Sequence, residues 1–237
     1  MTKVERIPLL ILFALALQCF PSPRAEAGMV VIPGMSGSGL NVQVTSIKEA
    51  RFNTTVHQQY DFSCGSAALA TLLTYHYATP IMEQDAFNWM YEKGNQEKIR
   101  KEGFSLLDMK NYLEAKGFRA DGYYIPLEKL ATAGIPAIVL INLKGYRHFV
   151  VVKGVTEKRV LIGDPASGIK IMPRDDFEKA WNGLAFIIRN NVALAKNNFN
   201  RLDEWRVKGQ APMGLALRAN DLASVTYLLP GPEGAGP

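Results

Sequence analysis

Cysteine is rare in this chain: Cys19 and Cys64 are its two copies. Cys64 sits in "HQQYDFSCGSAALATLLTYHY", residues 57–77, where a polar, aromatic loop runs into an apolar helical pattern. A cysteine with no intramolecular partner is either a small buried hydrophobe or a group that does chemistry. At a helix start, unpaired N–H groups and the helix dipole favour a thiolate. Gly65 follows and leaves little bulk on one side of the sulfur. Such a nucleophile needs a base and a group to orient that base. His148 heads the Val-rich stretch "HFVVVKGV", and Asp164 lies sixteen residues later in "GDPASG". Two adjacent antiparallel strands joined around "TEKR" would bring that imidazole and that carboxylate together, as an oriented base requires. Gln58 and Gln59 stand six and five residues before Cys64. A side-chain amide there, with a backbone N–H from the helix start, is placed to stabilise a tetrahedral oxyanion.

Each residue also has a plainer reading. His148 alone is a satisfied strand-end histidine, and Asp164 before Pro165 is a turn residue. His57 and His76 are rivals for the base. His57 adjoins the cysteine loop and reads equally well as a surface residue. His76 lies twelve positions along the helix that starts at Cys64, roughly 18 Å away at about 1.5 Å per residue, which removes it if the helix is real. The joint pattern carries the reading, not any one member.

The elements that must position these groups follow from periodicity. "NVQVTSI" (41–47) alternates as a short strand, after a flexible glycine-rich "GMSGSG". A helix is expected from Ser63 to about Ala78, with Ala67, Leu69, Ala70, Leu72 and Leu73 on a broad apolar face and Asp61 or Ser63 as N-cap. "MEQDAFNWMYEKG" reads as a second helix with "QEKIRKEG" as its polar continuation. "SLLDMKNYLEAKG" reads as a third, opened by a Ser105/Asp108 capping box and closed at Gly117. "FRADGYYI" is strand-like, and "PLEKLATAG" is a short helix. After Gly134 the period becomes two: "IPAIVLINL", "RHFVVVKGV", "KRVLIGDP", "GIKIMP" and, after a short helix at "DDFEKAW", "LAFIIRN". Helices followed by a mostly antiparallel sheet make an α+β domain over residues 45–190. Residues 191–237 form a C-terminal extension: a polar helix or loop at "NNVALAKNNFNRLDEW", an apolar middle, "PMGLALRANDLASVTYLL", able to pack on the domain, and a disordered Gly/Pro-rich end.

The first 27 residues read as a cleaved secretory signal: Lys3 and Arg6, then the apolar "IPLLILFALALQCF", then Ala25 and Ala27 in an A-x-A pattern. The apolar run is shorter than a transmembrane helix needs, so no stable membrane span is expected after cleavage, and 28–44 becomes a flexible N-terminal segment. Removing the signal removes Cys19 and leaves Cys64 alone in an exported, oxidising compartment, the periplasm, where an unpaired thiol is a candidate reactive group. It also takes the formal charge from +5 to +4, and the remaining Lys and Arg are scattered. Nucleic acid is therefore not an expected partner. The absence of CxxC, HExxH and GxxxxGK[ST] leaves a thiol–zinc site, a zincin and a P-loop without support, and no cofactor or metal is expected.

"QQYDFSCGSAAL", "HFVVV" and "GDP" resemble the motifs of the C39 peptidases, papain-like cysteine proteases of the bacteriocin-processing type. The resemblance spans about residues 53–190. It implies a papain-like α+β fold, with Cys64 as nucleophile, His148 as general base and acid, Asp164 as the group orienting His148, and Gln58 rather than Gln59 as the oxyanion glutamine. Ser63 stands where the family has aspartate. Transporter-borne members cut after a double glycine on the cytosolic side. This sequence is more similar to stand-alone exported members, so that specificity is not carried over. Some of those accompany functional-amyloid secretion systems, which implies a peptide or protein substrate such as an exported fibre subunit or a secretion component. Two alternatives stay open here: a non-catalytic C39-like peptide-binding module, and a papain-like amidase acting on cell-wall peptides.

Overall fold

The computed structural model describes residues 29–32, 40–43, 46–143 and 145–206. The segment read as a signal (which holds Cys19), the "GMSGSG" stretch and residues 207–237 lie outside the described residues. Strands β1 (Met29–Ile32) and β2 (Leu40–Gln43) pair antiparallel in a unit of their own. The segment read as a flexible lead-in therefore carries strand on both sides of its glycines. The strand expected over 41–47 ends at Gln43, and Ile47 instead opens a one-turn helix, α1 (Ile47–Ala50).

The second unit begins at Ile47. Its helices α2 (Cys64–His76), α3 (Glu83–Lys93), α4 (Gln96–Glu102) and α5 (Leu106–Ala115) precede the whole six-stranded sheet. Then come β3 (Ala120–Tyr124), α6 (Leu127–Ala133), β4 (Ala137–Leu143), β5 (Tyr146–Val155), β6 (Arg159–Asp164) and β7 (Gly168–Pro173). Helix α7 (Arg174–Ala180), β8 (Trp181–Ile188), α8 (Val192–Asn197) and α9 (Leu202–Trp205) follow. The six strands lie in the order β3-β8-β4-β5-β6-β7, and every pairing is antiparallel. This is the α+β arrangement that the change of period implied.

The alternating side chains of β5 show how the sheet is held. Phe149 and Val151 join one buried cluster with residues of α2, α3 and α5, among them Leu69, Met90 and Tyr112. Val150 and Val152 join a second cluster with Leu127 and Leu130 of α6 and Phe177 of α7. A strand buried on both faces reads as a continuous apolar run, which is why "HFVVVKGV" alternates so little. Each fully buried Val, Ile or Phe contributes roughly 1.5–3 kcal/mol, and a slip of one residue would turn every side chain to the wrong face. The position of His148 on β5 is fixed by that register.

Helix α2 is more enclosed than one apolar face requires: Cys64 through Leu73 are all buried. A helix apolar on all sides belongs in the interior, and its Ala-rich sequence lets neighbours approach closely. The chain leaves it at Ala78, whose φ is 48°. The expected continuation of α3 into α4 is not made. Gly94 is extended, at φ −93° and ψ −179°, and Asn95 accepts a hydrogen bond from Lys98 N at 3.0 Å as the N-cap of a new helix. The break turns Ile99 into the core. The Ser105/Asp108 capping box of α5 is present, with Ser105 N donating to Asp108 Oδ2 at 2.8 Å.

Candidate active site

Cys64 is the first residue of α2 and is 8% exposed. Ser63 is the N-cap by position, but its hydroxyl donates to Tyr60 O at 3.0 Å and accepts from Tyr60 N at 3.1 Å, so it makes no cap bond to the helix. Asp61, the other expected cap, is exposed. The Ser63 hydroxyl is thereby used to fold the preceding loop back on itself, and the amides of the first turn stay free of it. Such amides favour negative charge. Gly65 has a packing role besides the one its sequence position suggests. A Cβ there would stand 3.1 Å from Phe104 Cβ and 3.4 Å from Met109 Cε. The glycine also lets α2 pack closely on Phe104. Cys64 lines a cleft of about 730 Å³ whose walls include Phe104, Leu106, Tyr124, Tyr146 and Leu184.

His148 and Asp164 meet as expected. His148 Nε2 lies 2.8 Å from Asp164 Oδ1, and both residues are buried, at 2% and 6% exposure. The carboxylate can only accept, so Nε2 carries the hydrogen. The same Oδ1 accepts from Ala166 N at 2.8 Å, and Ser167 N donates to it at 3.3 Å, so the turn after β6 locks the carboxylate in place. His148 Nδ1 has no hydrogen-bond partner. Burial opposes charge on the ring, but the bond to Asp164 and the nearby Cys64 sulfur outweigh it and raise His148 to about 9. Burial likewise opposes charge on Asp164, and His148 with the Ala166 amide and the Ser167 side chain outweighs it, lowering the carboxyl to about 2. The arrangement is a polarised imidazole with one nitrogen anchored and the other free on the thiol side.

Gln58 is buried and Gln59 is exposed, which separates the two. Gln58 N donates to Pro165 O at 3.0 Å, tying the cysteine loop to the turn that holds Asp164. Gln58 Nε2 donates to Tyr60 O at 3.0 Å. An amide nitrogen carries two hydrogens, so one remains for a ligand. Of the rival bases, His57 is exposed and stands edge-on to Phe52 at 4.7 Å. His76 is wholly buried at the far end of α2, and burial and the Lys153 charge lower it to about 3. It is a neutral core histidine.

Two features escape a reading from motifs. Tyr146 stacks on the His148 ring at 5.6 Å and 27° and forms part of the cleft wall beside Cys64. Nothing in its local sequence distinguishes it from any exposed strand-end tyrosine. Lys153 is fully buried in β5, and its Nζ donates to Glu204 Oε1 at 2.7 Å. A lysine inside "HFVVVKGV" is a visible signal, because an unpaired buried ammonium is too costly to leave without an anion.

The peptidase C39 family matches residues 53–193. A protein of Pseudomonas aeruginosa named probable functional amyloid protease FapD is 44% identical over 207 residues, covering 83% of this chain and 91% of the relative. A protein of Pseudomonas fluorescens with the same name is 42% identical over 174 residues, covering 73% of this chain and 76% of the relative. Among solved structures, the peptidase domain of Streptococcus ComA, a bi-functional ABC transporter involved in quorum sensing, is 24% identical. It covers 57% of this chain and 96% of that domain, with a TM-score of 0.49.

Proposed function

This chain belongs to the peptidase C39 family and is a cysteine peptidase; on that footing we propose that Cys64 is its nucleophile, His148 its general acid and base, Asp164 the residue that positions His148, and Gln58 an oxyanion donor. The observation that carries this assignment is His148 itself: Nε2 is bonded to Asp164 at 2.8 Å and Nδ1 is left free. An imidazole fixed in this way presents one nitrogen for proton transfer.

In the proposed reaction the Cys64 thiolate adds to the carbonyl carbon of the scissile peptide. The carbonyl π bond becomes an oxyanion, held by the Gln58 amide and a first-turn N–H of α2. The imidazolium gives its Nδ1 proton to the departing amine as the C–N bond breaks, leaving a thioester on Cys64. A water then adds to the thioester and passes its proton to Nδ1. Collapse of that intermediate breaks the C–S bond, releases the carboxylic acid and returns the thiolate–imidazolium pair.

We further propose that the substrate is a protein subunit of a fibre system or a component of its secretion machinery, acted on in the periplasm. The names of the two Pseudomonas relatives support the first part, and the signal-like residues 1–27 support the second. Among the described residues no helix is long and apolar enough to cross a membrane. The test is substitution followed by mass spectrometry of new amino termini in the exported proteome. Cys64→Ala should abolish a defined set of cleavages while the purified protein melts as the parent does. Cleavages that persist in the variant would remove Cys64 from the role of nucleophile. Cell fractionation with and without residues 1–27 tests the compartment.

A further inference from the structure

The family match stops at residue 193, but the packed structure does not. Beyond it, Asn200 N donates to Lys153 O at 2.9 Å. The Asn200 side chain accepts from Val155 N at 2.8 Å and donates to Val155 O at 3.2 Å. These bonds complete the backbone of β5 where its pairing with β6 shifts register between Val152 and Gly154. Gly154 is required there, because a Cβ would collide with Asn200 Oδ1 and stand 3.1 Å from the Trp205 ring. Four residues past Asn200, Glu204 reaches the buried Lys153 Nζ.

The lysine has three donors, and the other contacts lead toward the active site. Lys153 Nζ donates to Thr54 O at 2.6 Å and to Thr54 Oγ1 at 2.8 Å. The next residues are held as firmly. Thr55 packs against Gly163, the residue before Asp164, where a Cβ would stand 3.0 Å from Thr55 Oγ1. Val56 N donates to Thr71 Oγ1 of α2 at 2.8 Å, and Gln58 N donates to Pro165 O at 3.0 Å. Residues 54–58 thus form a short lead into the cysteine loop. Its far end is gripped by a buried ammonium whose counter-charge comes from outside the family's span.

We propose that Glu204, acting through Lys153 and Thr54, is a positioning residue for Gln58, so that the 194–206 segment is a built-in part of the oxyanion site. This rests on the proposed role of Gln58. With Glu204 in place, the lysine is neutralised without moving, and both its Thr54 bonds are kept. Without it, the ammonium must find another anion or water, and it withdraws from Thr54. An oxyanion donor displaced by about 1 Å loses much of its effect, on the order of 10–100-fold in acyl transfer.

Two small probes separate this from a merely structural role. Acylation by p-nitrophenyl acetate passes through a tetrahedral oxyanion, whereas alkylation by iodoacetamide does not. In full-length Glu204→Gln, the acylation of Cys64 should fall by about 10–100-fold while its alkylation stays within about 2-fold. Combining it with Gln58→Ala should give no further loss beyond Gln58→Ala alone. A second variant, Lys153→Met with Glu204→Leu, replaces the pair by apolar side chains and should fold while showing the same selective loss. The proposal is overturned by unchanged acylation, by equal loss with both probes, or by additive losses in the Gln58→Ala combination. Acylation that survives Cys64→Ala would instead sink the assignment of the nucleophile, so the two failures are distinguishable.

Discussion

Replacing Asp164 by asparagine should move the alkaline limit of activity. In the parent, His148 is raised from 6.5 to about 9. Burial is the largest influence and opposes charge; Asp164 and Cys64 together overcome it. The amide introduced by Asp164→Asn can still accept the Nε2 hydrogen but supplies no charge, so the imidazolium should fall back toward 6.5. At pH 8 its protonated fraction then drops from about nine-tenths to about one-thirtieth, roughly a 30-fold loss of rate, while at pH 5.5 ionisation costs almost nothing. The assay is kcat/KM against pH from about 5 to about 10 on a cleavable peptide. An alkaline limb of kcat/KM that stays near 9 would refute the role given to Asp164. The same linkage acts on stability. The raised histidine stabilises the fold fully below about 6.5, and that contribution fades as pH climbs through about 9. The depressed carboxyl stabilises it above 3.8, and that contribution fades as pH falls through about 2. Both shifts share the His148–Asp164 contact, so the two contributions are not independent.

Gln58→Ala should lower kcat by about 10²–10³-fold with little change in the alkylation rate of Cys64, because only the oxyanion step needs the amide; equal loss of both would point to a collapsed loop instead. Gly154→Ala should expel Asn200 from β5 and destabilise the protein by about 2 kcal/mol, read as a lower midpoint in urea; an unchanged midpoint would show that the 194–206 segment does not hold the strand. Gly65→Ala should push α2 off Phe104 and cost about 1–2 kcal/mol, with reduced activity from a displaced thiol, both followed by urea denaturation and turnover. Ser105→Ala, which removes the α5 cap, should cost about 1 kcal/mol in the same denaturation assay.

The succession of helices and then period-two strands was plain in the residues, because burial and turn chemistry act over a few positions. The sites where local reading went astray are those where two local signals compete. Residues 83–102 carry a helical pattern throughout, yet Gly94 and the Asn95 cap divide it, since a capped second start turns Ile99 into the core and a straight helix would not. The close contact of the glycine after Cys64 with Phe104 could not be read from position, because Phe104 lies thirty-nine residues on. The family register favoured Gln58 over Gln59, and what only the structure adds is that Gln58 is buried, Gln59 exposed and Gln58 N bonded to Pro165 O.

Residue type and spacing were enough to establish the element types, the α+β class, and a short roster of groups able to do thiol chemistry, because they govern local conformation and reactivity. The folded chain had to supply the rest: which of three histidines faces the thiol, how the Asp164 carboxylate is locked, and that Glu204 neutralises a lysine fifty-one residues away. Those outcomes depend on strand register and on the cost of burying an unpaired charge. Both are settled by contacts between segments distant in the chain, and neither leaves a mark in any one of them.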